Sequence, residues 1–298
     1  MKKILSIVLV AIISTTLLVG CSSQGETDNP SVNADGFDTS KVINLVSRED
    51  GSGTRGAFIE ILGILEKDAD GNEVDRTYEE AIIQNGTDAV MTTVAGDKYS
   101  IGYISLGSLN DSVKALKIEG VEPASENIQN GSYKISRPFN IAYKGEPSSL
   151  AQDFIDFILS KEGQAIVVEE GYVQANTDLP AYMKNTQEGN LVIAGSTSVT
   201  PVMEKLAEAY EKIHSGVSIE IQSTGSSAGM QSAMEGTADI GMASRDLKDS
   251  ELAELRSEVM AIDGIAVIVN NNNPIDSLTI EEVKSIYIGD ITKWDISK

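Results

Sequence analysis

The chain has 298 residues, 41% of them hydrophobic and 23% charged, with a formal net charge of −22. That length allows two modest domains or one large one. The acidity argues against nucleic acid and anionic membrane surfaces as ligands, though not against a small anion, because a few N–H donors and one or two arginines dominate at contact distance.

In chain order, MKK, the apolar run ILSIVLVAIISTTLL and LVGC at 18–21 predict a signal segment over residues 1–20. The LVGC ending resembles a bacterial lipobox, with cleavage before Cys21 and lipidation (palmitate) of its thiol; a retained membrane anchor is the alternative. Loss of Lys2 and Lys3 with that segment leaves a net charge of −24. Cys21 is the only cysteine, so neither a disulfide framework nor a cysteine-based metal site is available. Residues 21–40 are polar and turn-rich and read as a flexible tether.

Beyond the tether, strands are predicted at 42–46, 101–104, 191–194, 217–221 and 264–269. Helices are predicted at 54–66, 77–84, 86–95, 149–160, 161–169, 201–213, 227–235 and 279–288. The apolar band Leu150, Phe154, Ile155, Phe157, Ile158 and Leu159 predicts a helix packed along a wide face. Alternating strands and helices imply an α/β fold with a mainly parallel sheet. The polar stretch 174–190 reads as a connector.

Four short loops concentrate Ser, Thr and Gly: 48–54 (REDGSGT), 195–201 (GSTSVTP), 223–229 (STGSSAG) and 243–246 (ASRD). The first three precede predicted helices, whose first turns carry unpaired N–H groups and the positive dipole end, a ready site for an oxyanion. Ser, Thr and Asp also serve as ordinary N-caps, so no single loop is decisive. Three such loops together with Arg48 and Arg245 point to anion binding.

Enzymatic motifs fail in context. Gly51, Gly53 and Gly56 spell G-x-G-x-x-G, but the acid-ending second strand of a dinucleotide fold is replaced by the polar turn EKDADGNEVDR. GSSAG at 225–229 matches G-x-S-x-G around Ser227, yet the only histidine, His214, lies upstream of it. His214 reads instead as a helix C-terminal residue interacting with the dipole. No P-loop or EF-hand pattern occurs, and no cofactor or metal is expected.

The segments VSREDGSGTRGAF, GSTSVTPVMEKLAEAY, TGSSAGMQSAMEGTADIGMASRDL and IDGIAVIVNNNNPIDSLTIEEVKSIYIGDITKW resemble the phosphate-binding protein of the bacterial ABC phosphate importer. FIDFILSKEGQAIVVEEGYV resembles the same family more weakly. The resemblance implies a two-lobed periplasmic-binding-protein-like fold of type II, each lobe a mainly parallel sheet flanked by helices, with phosphate in the cleft. By position, Arg48 faces the ligand and Asp50 orients it. Ser52, Gly53, Thr54, Thr197, Ser198, Ser226 and Arg245 complete the ligand set. In well-known members an Asp occupies the Arg245 position and accepts the proton of hydrogen phosphate, which helps reject sulfate.

The order of the blocks differs from the family pattern, in which GSTSVTP comes first and SREDGSGT follows ITKW. This looks like a circular permutation, with the usual ends joined through 174–190 and new ends opened between Trp294 and Val42; a gene fragment is the alternative. It implies one lobe from 41–138 plus 270–298 and another from 142–265, with crossover strands near 137–143 and 263–269. The expectation is a monomeric, lipid-anchored receptor on the outer face of the cell membrane, delivering inorganic phosphate to the permease subunits of an ABC importer and catalysing no reaction. The alternatives are a receptor or sensor for sulfate or molybdate, and a serine hydrolase using Ser227.

Overall fold

The protein is described here by a computed structural model covering residues 36–296. The signal segment, Cys21 and most of the tether lie outside the described residues. The strands are β1 (Asn44–Arg48), β2 (Leu65–Lys67), β3 (Glu73–Asp75), β4 (Ile82–Gln84), β5 (Ser100–Ser105), β6 (Lys114–Ala115) and β7 (Lys117–Ile118). They continue with β8 (Ser136–Lys144), β9 (Val173–Gln174), β10 (Glu188–Gly195), β11 (Gly216–Ser223), β12 (Ile240–Ala243), β13 (Leu255–Val269) and β14 (Ser277–Leu278). The helices are α1 (Gly53–Ile61), α2 (Thr87–Gly96), α3 (Ser125–Gln129), α4 (Ser149–Ile158) and α5 (Lys161–Glu169). After these come α6 (Thr200–Ile213), α7 (Ser226–Glu235), α8 (Asp249–Leu252) and α9 (Ile280–Tyr287).

The α/β class holds, and the main sheet is mixed. Its strand order is β11-β10-β12-β8-β13-β5-β1-β4, with β6 and β9 also on β13. Pairing is parallel towards both ends, where β10 lies between β11 and β12 and β1 between β4 and β5. It is antiparallel in the middle, because the long strands β8 and β13 run against each other and against β12 and β5. Within β13, Met260 and Ala261 enter an apolar cluster otherwise drawn from Phe139 to Met242. Ile265, Val267 and Val269 enter a second cluster, built from Phe37–Ile135 and from residues onward to Trp294. Where β8 and β13 cross between these clusters, Arg137 and Asp263 are register partners and form a buried ion pair at 3.0 Å.

Helix α4 buries Leu150, Phe154, Ile155, Phe157 and Ile158, as its apolar band requires. The expected helix at 77–84 does not form. Ile82–Gln84 instead pairs in parallel with Val46–Arg48 as β4, since two adjacent β-branched residues suit a sheet edge better than a helix surface. Helix α1 stops at Ile61, short of the expected 66, and Gly63 turns the chain at φ 64°. The tether reading also fails near its end: Phe37 is buried, with its ring 5.0 Å from Tyr99 and 6.0 Å from Trp294.

Candidate anion site

Strand β1 ends at Arg48, whose backbone N–H donates to the Tyr103 hydroxyl at 3.2 Å. The chain then turns through Gly51 at φ 83°, a conformation that glycine adopts without strain, and Ser52 caps α1 by accepting from the Arg55 N–H. This puts a guanidinium and a helix start within six residues, as the REDGSGT loop suggested. Arg48 is only 1% exposed.

The carboxylate that holds Arg48 is Glu49, not Asp50. Arg48 Nε donates to Glu49 Oε2 at 2.7 Å and Nη2 donates to Oε1 at 2.8 Å, a bidentate fork. Asp50 turns outward and accepts from Arg55 at 2.7 Å, its side chain 96% exposed. Burial opposes ionisation of Glu49, but the hydrogen bonds and charge of Arg48, with the Gly86 N–H, outweigh it and hold the carboxyl below its usual range. The second proton of Arg48 Nη2 goes to Thr197 Oγ1 at 2.9 Å. Nη1 is buried and has no partner among the described residues.

Around this arginine the structure gathers hydroxyls from four helix starts. Thr54 of α1 is 2.9 Å from Ser198 Oγ in the loop before α6. Thr87, the first residue of α2, lies 3.4 Å from Ser198 Oγ and 3.5 Å from Thr197 Oγ1. Ser226 opens α7 and accepts from the Ser244 N–H at 3.1 Å, while Ser196 donates to Ser244 Oγ at 2.8 Å. A Cβ on Gly53 would come within 2.3 Å of Ser226 Oγ, so α1 and α7 meet at a distance only glycine permits. The Ser227 N–H donates to the Gly51 carbonyl at 3.1 Å across the same seam. Side chains cap neither α2, α6 nor α7.

Six of the expected residues, Ser52, Gly53, Thr54, Thr197, Ser198 and Ser226, therefore assemble with Arg48. Arg245 does not join them as a free donor. Its Nη1 donates to Glu251 at 2.8 Å and to the Asp246 carbonyl at 2.9 Å. Its Nη2 donates to Glu251 at 2.8 Å and to Ser227 Oγ at 3.3 Å. A carboxylate six residues on thus claims the guanidinium, and the pair is nearly buried. Sequence reasoning missed Glu49, Thr87, Ser196 and Ser244. Glu49, Ser196 and Ser244 sat within loops already singled out; Thr87 did not.

Ser227 is held by Arg245, whereas the His214 ring bonds the Tyr182 hydroxyl at 2.7 Å, so the two groups a hydrolase would couple have separate partners. His214 is the C-cap of α6, at the helix end where the sequence reading put it, and burial pulls its pKa down despite the nearby Asp153 carboxylate. Among the described residues no group of three or more His, Cys, Asp or Glu side chains is placed to hold a metal ion. Buried donors without acceptors cost about 1–3 kcal/mol each, so a ligand that accepts hydrogen bonds on several sides relieves them.

Residues 33–162 and 180–296 match the PBP superfamily domain. Phosphate-binding protein PstS 2 of Streptococcus agalactiae is 47% identical over 300 residues, covering 99% of both chains. The crystal structure of a phosphate-binding protein of a phosphate ABC transporter from Streptococcus pneumoniae is 48% identical, covers 87% of this chain and 100% of that one, and has a TM-score of 0.70. Phosphate-binding protein PstS of Bacillus subtilis is 35% identical over 150 residues, which are 50% of this chain and 45% of that protein.

Proposed function

This chain belongs to the phosphate-binding protein PstS family, and from that premise we propose that it captures inorganic phosphate outside the membrane and passes it to the permease subunits of an ABC importer. The observation that carries the reading is Arg48 Nη1, a buried cationic donor without an acceptor, set among hydroxyls and helix starts. A tetrahedral oxyanion has acceptors on every side and takes such donors without reorganisation. Ser52, Gly53, Thr54, Thr197, Ser198 and Ser226 are the proposed partners of the anion beside Arg48. Arg48 supplies charge and the N–H groups at the helix starts supply direction. The protein acts as a monomer, breaks no bond and needs no cofactor.

In this reading the two apolar clusters are the interiors of two lobes, one from about 41–138 plus 270–298 and the other from about 142–265. The circular permutation is supported by the meeting of the two ends of the described chain. The Ile43 N–H donates to the Thr292 carbonyl at 2.9 Å, and the Trp294 N–H to the Lys41 carbonyl at 3.3 Å, so a short loop could close that gap. It is further supported by the half-length match to the Bacillus subtilis protein, because a collinear alignment spans only one side of a permuted break. The lipobox-like LVGC supports a lipid anchor at Cys21 on the outer face of the cell membrane.

Calorimetric titration of the purified protein with phosphate, then with sulfate, after removal of bound ligand, tests the function. Tight phosphate binding that sulfate does not match is the expected result. Sulfate or molybdate binding in its place moves the reading to another oxyanion receptor, and no heat from folded protein removes it.

A further inference from the structure

We infer that Thr87 and the uncapped first turn of α2 contact the bound anion directly, adding a fourth helix start to a site whose family resemblance supplies only three. The inference rests on the phosphate reading above. Thr87 is buried, and its Oγ1 stands 3.4–3.5 Å from Ser198 Oγ and Thr197 Oγ1. Those separations exceed the usual O–H···O range, so the hydroxyl is beside the other two without being committed to either. Helix α2 runs for ten residues, and its N-cap, Gly86, has no side chain to bond the first-turn N–H groups. Asp88, the acid of that turn, is exposed, while the buried residue beside the hydroxyls is the threonine.

A second, independent feature marks this helix start. The Gly86 N–H donates to Glu49 Oε2 at 3.2 Å, the oxygen that also accepts from Arg48 Nε. One carboxylate therefore fixes both the start of α2 and the guanidinium whose Nη1 has no acceptor. Gly86 also lies close to Thr197, since a Cβ there would be 3.9 Å from its Cγ2. The start of α2 is thus part of the same rigid frame as Arg48 and Thr197. An anion held by Nη1 and the Ser198 side of the site has the Thr87 hydroxyl and N–H at its edge.

The test is titration of the full-length protein and its variants with inorganic phosphate, with thermal melting of the ligand-free forms alongside. Thr87→Val keeps the branched shape and removes the hydroxyl; it should weaken phosphate binding roughly tenfold or more with little change in ligand-free melting, and Thr87→Ser should restore most of the affinity. Thr87→Ala gives the same expected loss if valine disturbs packing. Parent-like affinity in both Thr87→Val and Thr87→Ala overturns this inference alone, as does a loss matched by an equal fall in ligand-free stability and not rescued by serine. A parent protein that binds no phosphate overturns the functional reading and this inference with it.

Discussion

Arg48 and Glu49 are neighbours in sequence, and in a continuing strand their side chains would point to opposite faces. The strand ends at Arg48, however, so Glu49 is released from the pleat and folds back onto the guanidinium with two hydrogen bonds. That local break explains why Asp50, chosen by position in the family pattern, is left to Arg55. It also separates two substitutions that look alike in sequence. Glu49→Gln presents an amide donor to groups that are all donors, and should weaken phosphate binding by about 2 kcal/mol, roughly thirtyfold. Asp50→Asn should leave affinity within about twofold, because exposed ion pairs contribute little. Calorimetry of the two variants side by side checks both; equal losses would return the orienting role to Asp50.

At the scale of elements, the site depends on how closely α1 approaches α7. Gly53 is the first residue of α1, and its missing side chain leaves room for Ser226 and Ser244, whose Oγ atoms would lie 2.3 and 2.7 Å from a Cβ. Ser226 Cβ itself would be only 3.0 Å away, so rotation of the serine hydroxyls alone does not make space. Gly53→Ala should push the two helix starts apart, at a cost of about 1–3 kcal/mol. The expected signature is a lower ligand-free melting temperature together with a reduced or absent rise on adding phosphate. A variant with the full phosphate-induced rise would show that the seam tolerates the methyl group. The strand β4 belongs to this scale as well: TYEEAIIQ reads as helical alone, but the vacant edge of β1 claims Ile82–Gln84 for the sheet.

Across the whole molecule, the stretch 174–190 is more than a slack join. Tyr182 donates to Asp153 Oδ2 at 2.5 Å and lies 2.7 Å from His214 Nε2, while Asn185 donates to Asp153 Oδ1 at 3.0 Å. Tyr210 of α6 donates to the same carboxylate at 2.6 Å, so the connector is tied to α4 and α6 together. Burial lowers the His214 pKa; Asp153 raises it and Lys184 lowers it to a smaller extent. The folded protein thus resists protonating this ring while the unfolded chain does not, and stability falls as pH drops below the ordinary histidine value near 6.5. His214→Gln should flatten that part of the melting-temperature profile between pH 7 and 5 relative to the parent. Parallel profiles would show that His214 does not titrate there.

Much of the candidate site was legible because its chemistry is local. A run of Ser, Thr and Gly before an amphipathic helix exposes the same hydroxyls and N–H groups wherever the helix is placed, and Ser52, Thr54, Thr197, Ser198 and Ser226 all follow from that pattern. The α/β alternation and the apolar face of α4 are legible for the same reason, since periodicity is a property of neighbouring residues. Partner choice is not. Thr87 reaches Ser198 across 111 positions, and Arg245 meets Ser227 across 18, at separations set by the packing of different segments. Phe37 likewise enters the core only because Tyr99 and Trp294 are brought to it. The sequence by itself determined which groups could hold an anion and where most of the longer helices begin. The tertiary structure decided which carboxylate holds Arg48 and which hydroxyls surround it, because a hydrogen bond forms within about 3 Å and only the packed fold sets distances that fine.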